Sequence, residues 1–123
     1  MGQDILSDAL NQIMNSKRVE KTRVEIRRYS KLLLNLLNIM KDKGHINFEV
    51  KDKVLIVDVI NLNKCRAVKP RYFAQNNEIL KYEKRFLPSR NFGTLIISTN
   101  QGLIDQNQAE EMKIGGAIIA YFY

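Results

Sequence analysis

The sequence predicts an α+β fold in two small lobes. Segments with helical hydrophobic spacing and segments with strand-like alternation follow one another irregularly, unlike the regular βαβ pattern of a doubly wound sheet. The 123 residues suffice for one domain or two small lobes, and a hydrophobic fraction of 45% allows a modest core. Because residues 61–64 read as a linker, we place the boundary near Leu62, with residues 1–62 in an N-terminal lobe and residues 63–123 in a C-terminal lobe.

Two amphipathic helices are predicted in the N-terminal lobe. Apolar residues recur at helical spacing from Ile5 to Met14, and Asp4 can cap this first helix. The second helix is expected to begin after Ser30, another N-cap residue, and to end before Gly44. The first helix has a polar outer face, whereas the second is mostly core.

Three strands complete this lobe, in the order helix, strand, helix, strand, strand. Apolar and charged residues alternate in residues 23–28, which is typical of a half-buried strand. Alternation in residues 46–50 and an apolar run in residues 54–60 flank a turn at residues 51–53. This pattern predicts a β-hairpin packed on the helices.

The C-terminal lobe is predicted to be mainly antiparallel β with short helices. A helix capped by Asn77 and stopped by Pro88 precedes a strand at residues 93–98. A short helix over residues 105–112, capped by its first residue, leads to a last strand at residues 117–123.

The chain is strongly basic, and its charge is concentrated in two stretches. Lys and Arg number 20 against 13 Asp and Glu, which gives a net charge of +7. Residues 17–31 hold seven basic and two acidic residues, and residues 64–90 hold eight basic and two acidic residues. A polyanionic partner is favoured, with nucleic acid the first candidate and an anionic membrane the second. The alternative is that each charge run is a plain solvated face.

The composition excludes several classes of site. Cys65 is the only cysteine, which rules out an intramolecular disulfide and a Cys-based zinc site and fits a reducing compartment. No apolar run approaches the ~20 residues of a membrane span, and the N-terminus lacks a secretory pattern. We therefore expect a soluble, cytoplasmic protein with no membrane attachment, cofactor, metal or small-molecule substrate.

The most informative stretch is residues 92–104, together with Gly115 and Gly116 before the last strand. A β-branched run followed by Asn, Gln and Gly predicts a strand ending in a turn that presents hydroxyls, amides and backbone N–H groups. The same residue types also serve ordinary turns, and the glycine pair can simply supply unusual φ and ψ angles. Because this stretch has almost no basic charge, an RNA contact there would use shape, 2′-OH groups and base edges rather than phosphates.

Several motifs, in this order, resemble the universal small-subunit ribosomal protein S-eight family, called S-fifteen-a in eukaryotes, in its archaeal and eukaryotic branch. They are DILSDALNQIMN at 4–15, NKC at 63–65, VKPRY at 68–72, YEKRFLPSRNFG at 82–93, and STNQG at 98–102 followed by GG at 115–116. The resemblance implies the same two-lobed plan, with RNA binding mainly in the C-terminal lobe. This chain departs from the family by lacking a longer loop, with glycines and basic residues, near residues 51–53.

The resemblance also implies the function. Members are structural ribosomal proteins that bind the central domain of small-subunit rRNA and support its folding, beside neighbouring small-subunit ribosomal proteins. The residues expected to recognise RNA shape are Ser98, Thr99, Asn100, Gln101, Gly102, Gly115 and Gly116. The residues expected to hold or flank the RNA backbone are Arg27, Arg28, Lys31, Lys64, Lys69, Arg71, Tyr72, Ser89 and Arg90. Tyr72 lies beside Arg71 and Phe73, and its ring fits a stacking role on an unpaired base and a core role equally well.

Two other functions use some of the same residues. A regulator that binds messenger RNA would use the same surface chemistry. A small hydrolase would need Ser98 or Thr99 as nucleophile, with His45 as base and Asp105 as the orienting acid. The sequence has no nucleophile elbow, phosphate-binding loop or dinucleotide fingerprint, and it therefore predicts a protein that is not an enzyme.

Overall fold

The computed structural model describes residues 5–89 and 92–123, apart from the side chain of Pro70. The predicted cap Asp4 and the predicted RNA contact Arg90 lie outside the described residues. The chain forms two compact units that divide between Cys65 and Arg66. Whether residues 1–62 and 63–123 fold as separate domains stays a prediction.

The N-terminal unit has the predicted order of elements. Its helices and strands are α1 (Ile5–Arg18), β1 (Arg23–Ile26), α2 (Lys31–Asp42), β2 (Ile46–Lys51) and β3 (Val54–Val59). The three strands form one antiparallel sheet in the order β1-β3-β2. The α+β prediction is therefore confirmed for this unit.

The core of this unit explains why the sequence folds in this way. α1 buries Leu6, Ala9, Leu10 and Ile13, and α2 buries Leu33, Leu36, Leu37 and Met40. The spacing of three and four residues puts each set on one face of its helix. Ser30 caps α2 as predicted, since its hydroxyl oxygen accepts a hydrogen bond from the backbone N–H of Leu33 at 3.2 Å.

The predicted hairpin is present and is closed by a two-residue turn. Asp52 and Lys53 have φ angles of 52° and 64°. Positive φ at both central residues is the conformation that fits the right-handed twist of the two strands. The hairpin is short, as expected from the missing family loop.

Cys65 is buried at the end of this unit, where it packs like a small apolar side chain. Its Sγ lies 3.7 Å from the carbonyl oxygen of Leu10, and its backbone N–H donates to Sδ of Met14 at 3.3 Å. Burial raises the pKa of the Cys65 thiol to about 12. The thiol is therefore protonated at neutral pH and is a poor nucleophile.

The C-terminal unit is mainly antiparallel β with short helices, as predicted, and its sheet has four strands. Its elements are β4 (Cys65–Ala74), a 3₁₀ helix (Asn76–Glu78), α3 (Ile79–Phe86), β5 (Thr94–Thr99), β6 (Gly102–Asp105), α4 (Gln106–Met112) and β7 (Gly116–Phe122). The strand order is β4-β7-β5-β6, and β5 is antiparallel to both β6 and β7. The sheet therefore brings the end of β5 next to the start of β7.

Two strands of this unit were not predicted. β4 lies in the basic stretch of residues 64–90, and no strand was predicted there because Lys69, Pro70 and Arg71 interrupt its apolar residues. Its pattern is nevertheless a strand pattern, with Val68 and Ala74 in the core and Lys69 and Arg71 exposed. β6 was missed because it has only four residues and starts at a glycine.

The predicted caps in this unit have different outcomes. Asn77 does not cap a helix as predicted, because it lies inside the 3₁₀ helix that precedes α3. Its place at the N-terminus is taken by Gln75, whose backbone N–H donates to the carboxylate of Glu78 at 3.0 Å. Asp105 caps α4 as predicted, since its carboxylate accepts a hydrogen bond from the backbone N–H of Gln108 at 2.8 Å.

A buried glutamine fixes α4 to the start of β5. The side-chain oxygen of Gln106 accepts a hydrogen bond from the backbone N–H of Leu95 at 2.9 Å, and its amide donates to the carbonyl oxygen of Gly93 at 3.0 Å. Only 4% of Gln106 is exposed, so both bonds are sheltered from water. Paired buried hydrogen bonds of this kind specify one position of the helix on the sheet.

Candidate nucleic-acid interface

The β5–β6 turn, residues 98–102, is held by the side chain of Thr99. The Thr99 hydroxyl donates to the carbonyl oxygen of Gly102 at 2.9 Å and accepts from the backbone N–H of Gln101 at 3.1 Å. Gly102 has a φ angle of +102°, which favours glycine. The turn is therefore fixed from inside, while the side chains of Asn100 and Gln101 are exposed.

The Ser98 hydroxyl has a different role from that of Thr99. Ser98 is half-buried, and its hydroxyl has no hydrogen-bond partner among the described residues. Its neighbour Ile97 lies in the core, so alternation along β5 directs Ser98 to the opposite face of the sheet. Ser98 is thus a donor and acceptor that remains available on a rigid strand.

The glycine pair packs against other strands of the sheet. A Cβ atom added to Gly116 would lie 3.0 Å from the carbonyl carbon of Ser98, and one added to Gly115 would lie 2.9 Å from Cα of Gln75. Neither glycine has a positive φ angle, so the expectation of unusual φ and ψ angles is wrong for this pair. Their physical requirement is close backbone packing, which draws the ends of β4 and β5 to the start of β7.

These contacts define one end of the C-terminal sheet, which we call the recognition end. It consists of the end of β4, the β5–β6 turn and the start of β7. Ser98 is in register with Ala117 of β7, and Ala74, which follows Phe73, has its backbone against Gly115. Because Ala74 and Ile118 lie in the core, alternation places Phe73, Ala117 and Ser98 on the opposite face.

Phe73 is the exposed aromatic side chain of the recognition end. Its side chain is 70% exposed. The small Ala117 lies on the intervening strand β7, so the face between Phe73 and Ser98 is shallow. Two strand spacings separate β4 from β5, which is about 10 Å. The aromatic ring and the Ser98 hydroxyl are therefore about two strand spacings apart on one face of the sheet.

The open question about Tyr72 is answered in favour of the core. Its ring stacks on Tyr82 with centroids 5.6 Å apart and lies 6.4 Å from Phe86. The Arg85 guanidinium lies over the Tyr72 ring at 4.9 Å and donates a hydrogen bond to the Tyr72 hydroxyl at 3.3 Å. Tyr72 therefore belongs to the aromatic cluster of this unit, and Phe73 is the ring that the stacking hypothesis needs.

The predicted phosphate contacts of the N-terminal unit lie close together along the chain. Arg27 and Arg28 follow β1, and Lys31 is the first residue of α2. All three are exposed. Within β1, Arg23 donates from its Nε to a carboxylate oxygen of Asp58 at 3.0 Å across the sheet. Three exposed cations therefore lie within five residues directly after β1.

The remaining predicted contacts are distributed over the C-terminal half of the chain. Lys69 and Arg71 are exposed on the same side of β4 as Phe73, and Ser89 is exposed after α3. Lys64 is half-buried before β4 begins. Lys113 was not predicted as an RNA contact, because its region of the sequence is net acidic. It is nevertheless an exposed cation two residues before Gly115. Its φ angle of 57° ends α4 after Met112, where the helix was predicted to end.

Catalytic and metal chemistry finds little support in the described part of the chain. No group of three or more His, Cys, Asp or Glu residues is placed to hold a metal ion within residues 5–89 and 92–123. The side chains proposed for a hydrolase have other partners: Nδ1 of His45 lies 2.6 Å from the carbonyl oxygen of Asn61, and the Asp105 carboxylate caps α4. In the same described ranges, the helices are too short or too polar to span a membrane.

Comparison with known proteins gives a consistent family. A family model described as ribosomal protein S8 matches residues 4–123. Proteins named small ribosomal subunit protein uS8 are 40% identical over 129 residues in Nanoarchaeum equitans and in Archaeoglobus fulgidus, with 100% of both chains covered. The protein of that name in Methanococcoides burtonii is 43% identical over 126 residues, which cover 98% of this chain and 97% of the relative. The chain belongs to the ribosomal protein S8 family, in its archaeal branch.

Proposed function

We propose that this protein is a structural constituent of the small ribosomal subunit, which binds the central domain of small-subunit rRNA and supports its folding and assembly. Its relatives are named as proteins of that subunit, and the match covers the full chain. The family is structural, so the protein binds without turnover and is not an enzyme. The observation that carries the proposal is the recognition end, where a free hydroxyl, small side chains and an exposed ring share one rigid face.

RNA shape would be recognised by the β5–β6 turn. The minor groove of an RNA helix is wide and shallow and displays 2′-OH groups and base edges. Small side chains such as Ser98 and Ala117 let the strand backbone approach such a surface, whereas long side chains would hold it away. Thr99 supports this contact indirectly, because its hydroxyl bonds keep the turn in one conformation. The recognition end therefore contributes selectivity.

Phe73 extends this surface to an unpaired base. Sequence-specific RNA recognition often stacks a splayed base on an aromatic ring. The Phe73 ring is mostly exposed, and the cations Lys69 and Arg71 lie on the same side of β4. These cations would hold the phosphates that flank the stacked base.

The exposed cations of the N-terminal unit would bind phosphates without reading sequence. Arg27, Arg28 and Lys31 lie in a segment of the chain that has few acidic residues. Each phosphate contact releases condensed counterions, so affinity falls as salt rises, with a slope of about 0.7 to 0.9 per contact. The two parts of the surface thus differ in how they respond to salt.

Footprinting of the full-length protein on a transcript of the central domain of small-subunit rRNA tests this proposal. We expect protection of one helical site that persists at about 0.2 M salt in the presence of excess unrelated RNA. A transcript of the same composition with scrambled sequence serves as the control and should show no discrete protection. Equal protection of both transcripts would mean that the protein is a general polycation and would refute the proposal.

A further inference from the structure

The open face of the N-terminal sheet carries its charges in rows. The buried residues of β1 and β3 alternate with residues on the opposite, solvent-facing side. On that side Glu25 of β1 is in register with Ile56 of β3, and Ile56 is in register with Glu49 of β2. We call this set the Glu25–Ile56–Glu49 row. An aliphatic side chain thus lies between two carboxylates on the central strand of the sheet.

The rows on either side have other charges. Toward the β2–β3 turn, Val54 is in register with Lys51, and Arg27 follows directly after β1. In the other direction, Arg23 is in register with Asp58 and forms an ion pair with it. The open face therefore has cations near the turn, two carboxylates in the middle row and an ion pair in the row beyond. RNA phosphates are attracted to the first part and repelled by the second.

Arg23 lies next to the Glu25–Ile56–Glu49 row and experiences the charges of its two carboxylates. The pKa of Arg23 is raised above its usual value, first by its hydrogen bond with Asp58 and by the charge of Asp58, and further by the charges of Glu49 and Glu25. Both glutamates are exposed and contribute to a field that a cation of this chain already experiences. A cation of another chain would experience the same field.

The dimensions of the row fit a basic polypeptide segment. Two strand spacings separate Glu25 from Glu49, which is about 10 Å, too far for both carboxylates to hold one small ion. Alternate side chains of an extended segment are about 7 Å apart, and the long stems of Lys or Arg bridge the remaining distance. The same stems cover the half-buried Ile56, which leaves the ammonium or guanidinium groups at the carboxylates.

We propose that the Glu25–Ile56–Glu49 row is a docking surface for a basic segment of a neighbouring protein, with an aliphatic stem over Ile56 and cationic groups on the two carboxylates. Protein is favoured over RNA as the occupant, because phosphates are repelled by this row. The inference adds a protein contact to the proposed RNA binding and does not rest on it.

A titration with a hexa-arginine peptide, followed by NMR on the ¹⁵N-labelled full-length protein, tests this surface. We expect backbone shifts at β1, β2 and β3, centred on Ile56. Glu25→Gln combined with Glu49→Gln should weaken peptide binding about tenfold, because two charged contacts are lost. The matched control, Glu110→Gln combined with Glu111→Gln, removes the same charge from exposed positions on α4 and should change binding less than about twofold.

Two further measurements keep the result decisive. Ile56→Thr retains a β-branched side chain and should weaken peptide binding about threefold, through loss of the covered apolar surface. The Glu25→Gln, Glu49→Gln variant should bind rRNA as tightly as the native protein or more tightly. Peptide shifts centred on α4, or equal weakening in the control variant, would overturn the proposal. Loss of rRNA affinity in the Glu25→Gln, Glu49→Gln variant would overturn it too, since the row would then belong to the RNA surface.

Discussion

The two glycine-containing parts of the recognition end do opposite things. At the start of β7, Gly116 is buried, and a side chain there would collide with the backbone of Ser98. In the β5–β6 turn, Gly102 is exposed, has a positive φ angle, and has open space where a Cβ atom would lie. The first part is a support inside the sheet, and the second part is exposed at the surface. Residues that look equivalent in the sequence motif therefore divide into buried structural positions and exposed positions.

The largest expected effect is a change in the free energy of unfolding, which tests the difference between Gly116 and Gly102. Gly116→Ala should lower the free energy of unfolding by about 3 kcal/mol, because β7 must move away from β5 to accommodate the methyl group. Gly102→Ala is the matched control and should cost about 1 to 2 kcal/mol, from backbone strain alone. Urea unfolding of both variants measures the difference. A Gly116→Ala protein as stable as Gly102→Ala would show that the start of β7 is not a support.

The next effect concerns the exposed ring. Phe73→Ala should weaken binding to the central-domain rRNA by about 1 to 3 kcal/mol, the range for loss of one stacked base. Stability should change little, because 70% of the side chain is already exposed. Phe73→Tyr keeps a stacking ring and should restore affinity. Gel-shift titrations of the three proteins measure this, and unchanged affinity in Phe73→Ala would remove the stacking role.

Salt dependence separates the charged surface from the recognition end. Arg27→Ala combined with Arg28→Ala should reduce the slope of log affinity against log salt by about 1 to 2, since two phosphate contacts are removed. Arg23→Ala is the control and should reduce it less, because Arg23 is paired with Asp58. The slopes are obtained from binding measured between about 0.05 and 0.3 M salt. Over this range the Debye length falls from about 14 Å to about 6 Å. Equal slopes in all the proteins would remove the phosphate role of this segment.

The smallest expected effect separates the two hydroxyls of the turn. Ser98→Ala should weaken specific RNA binding by about 0.5 to 1.5 kcal/mol with an unchanged salt slope and unchanged stability, because its hydroxyl has no partner within the described residues. Thr99→Ala should instead lower stability, because it removes two hydrogen bonds that hold the turn.

Thr99→Ser retains the hydroxyl of the turn and should behave like the native protein in both assays. Thermal unfolding and gel-shift titration of the three variants together decide the assignment. A loss of stability in Ser98→Ala equal to that in Thr99→Ala would show that both hydroxyls are structural.

Periodicity was sufficient to predict most of the fold. α1 and α2 have clear apolar faces, and the β2–β3 hairpin has alternating strands around a charged turn. β4 was missed because its outward side carries cations and its middle holds Pro70, so the local pattern resembles a linker. β4 is recognised as a strand only through its pairing with β7, and β7 lies far from β4 in the sequence.

The position of the candidate site could be predicted from the sequence, but the separate roles of its residues could not. The motif at residues 98–102 indicated a polar edge, because small hydrogen-bonding residues follow a β-branched run. The difference between Ser98 and Thr99 depends on which hydroxyl finds a backbone partner across the turn, and the sequence does not encode this in a readable pattern. The choice between Tyr72 and Phe73 likewise depends on which face of β4 meets the aromatic cluster.

The position of Cys65 gives the folded chain a built-in reporter. It is the chain's single thiol, it is buried against Leu10, and its pKa of about 12 keeps it in the unreactive form at neutral pH. An alkylating reagent will therefore label only those molecules in which α1 has moved away from this position. The labelling rate reads out how often the N-terminal unit opens, and rRNA that binds that unit will slow it.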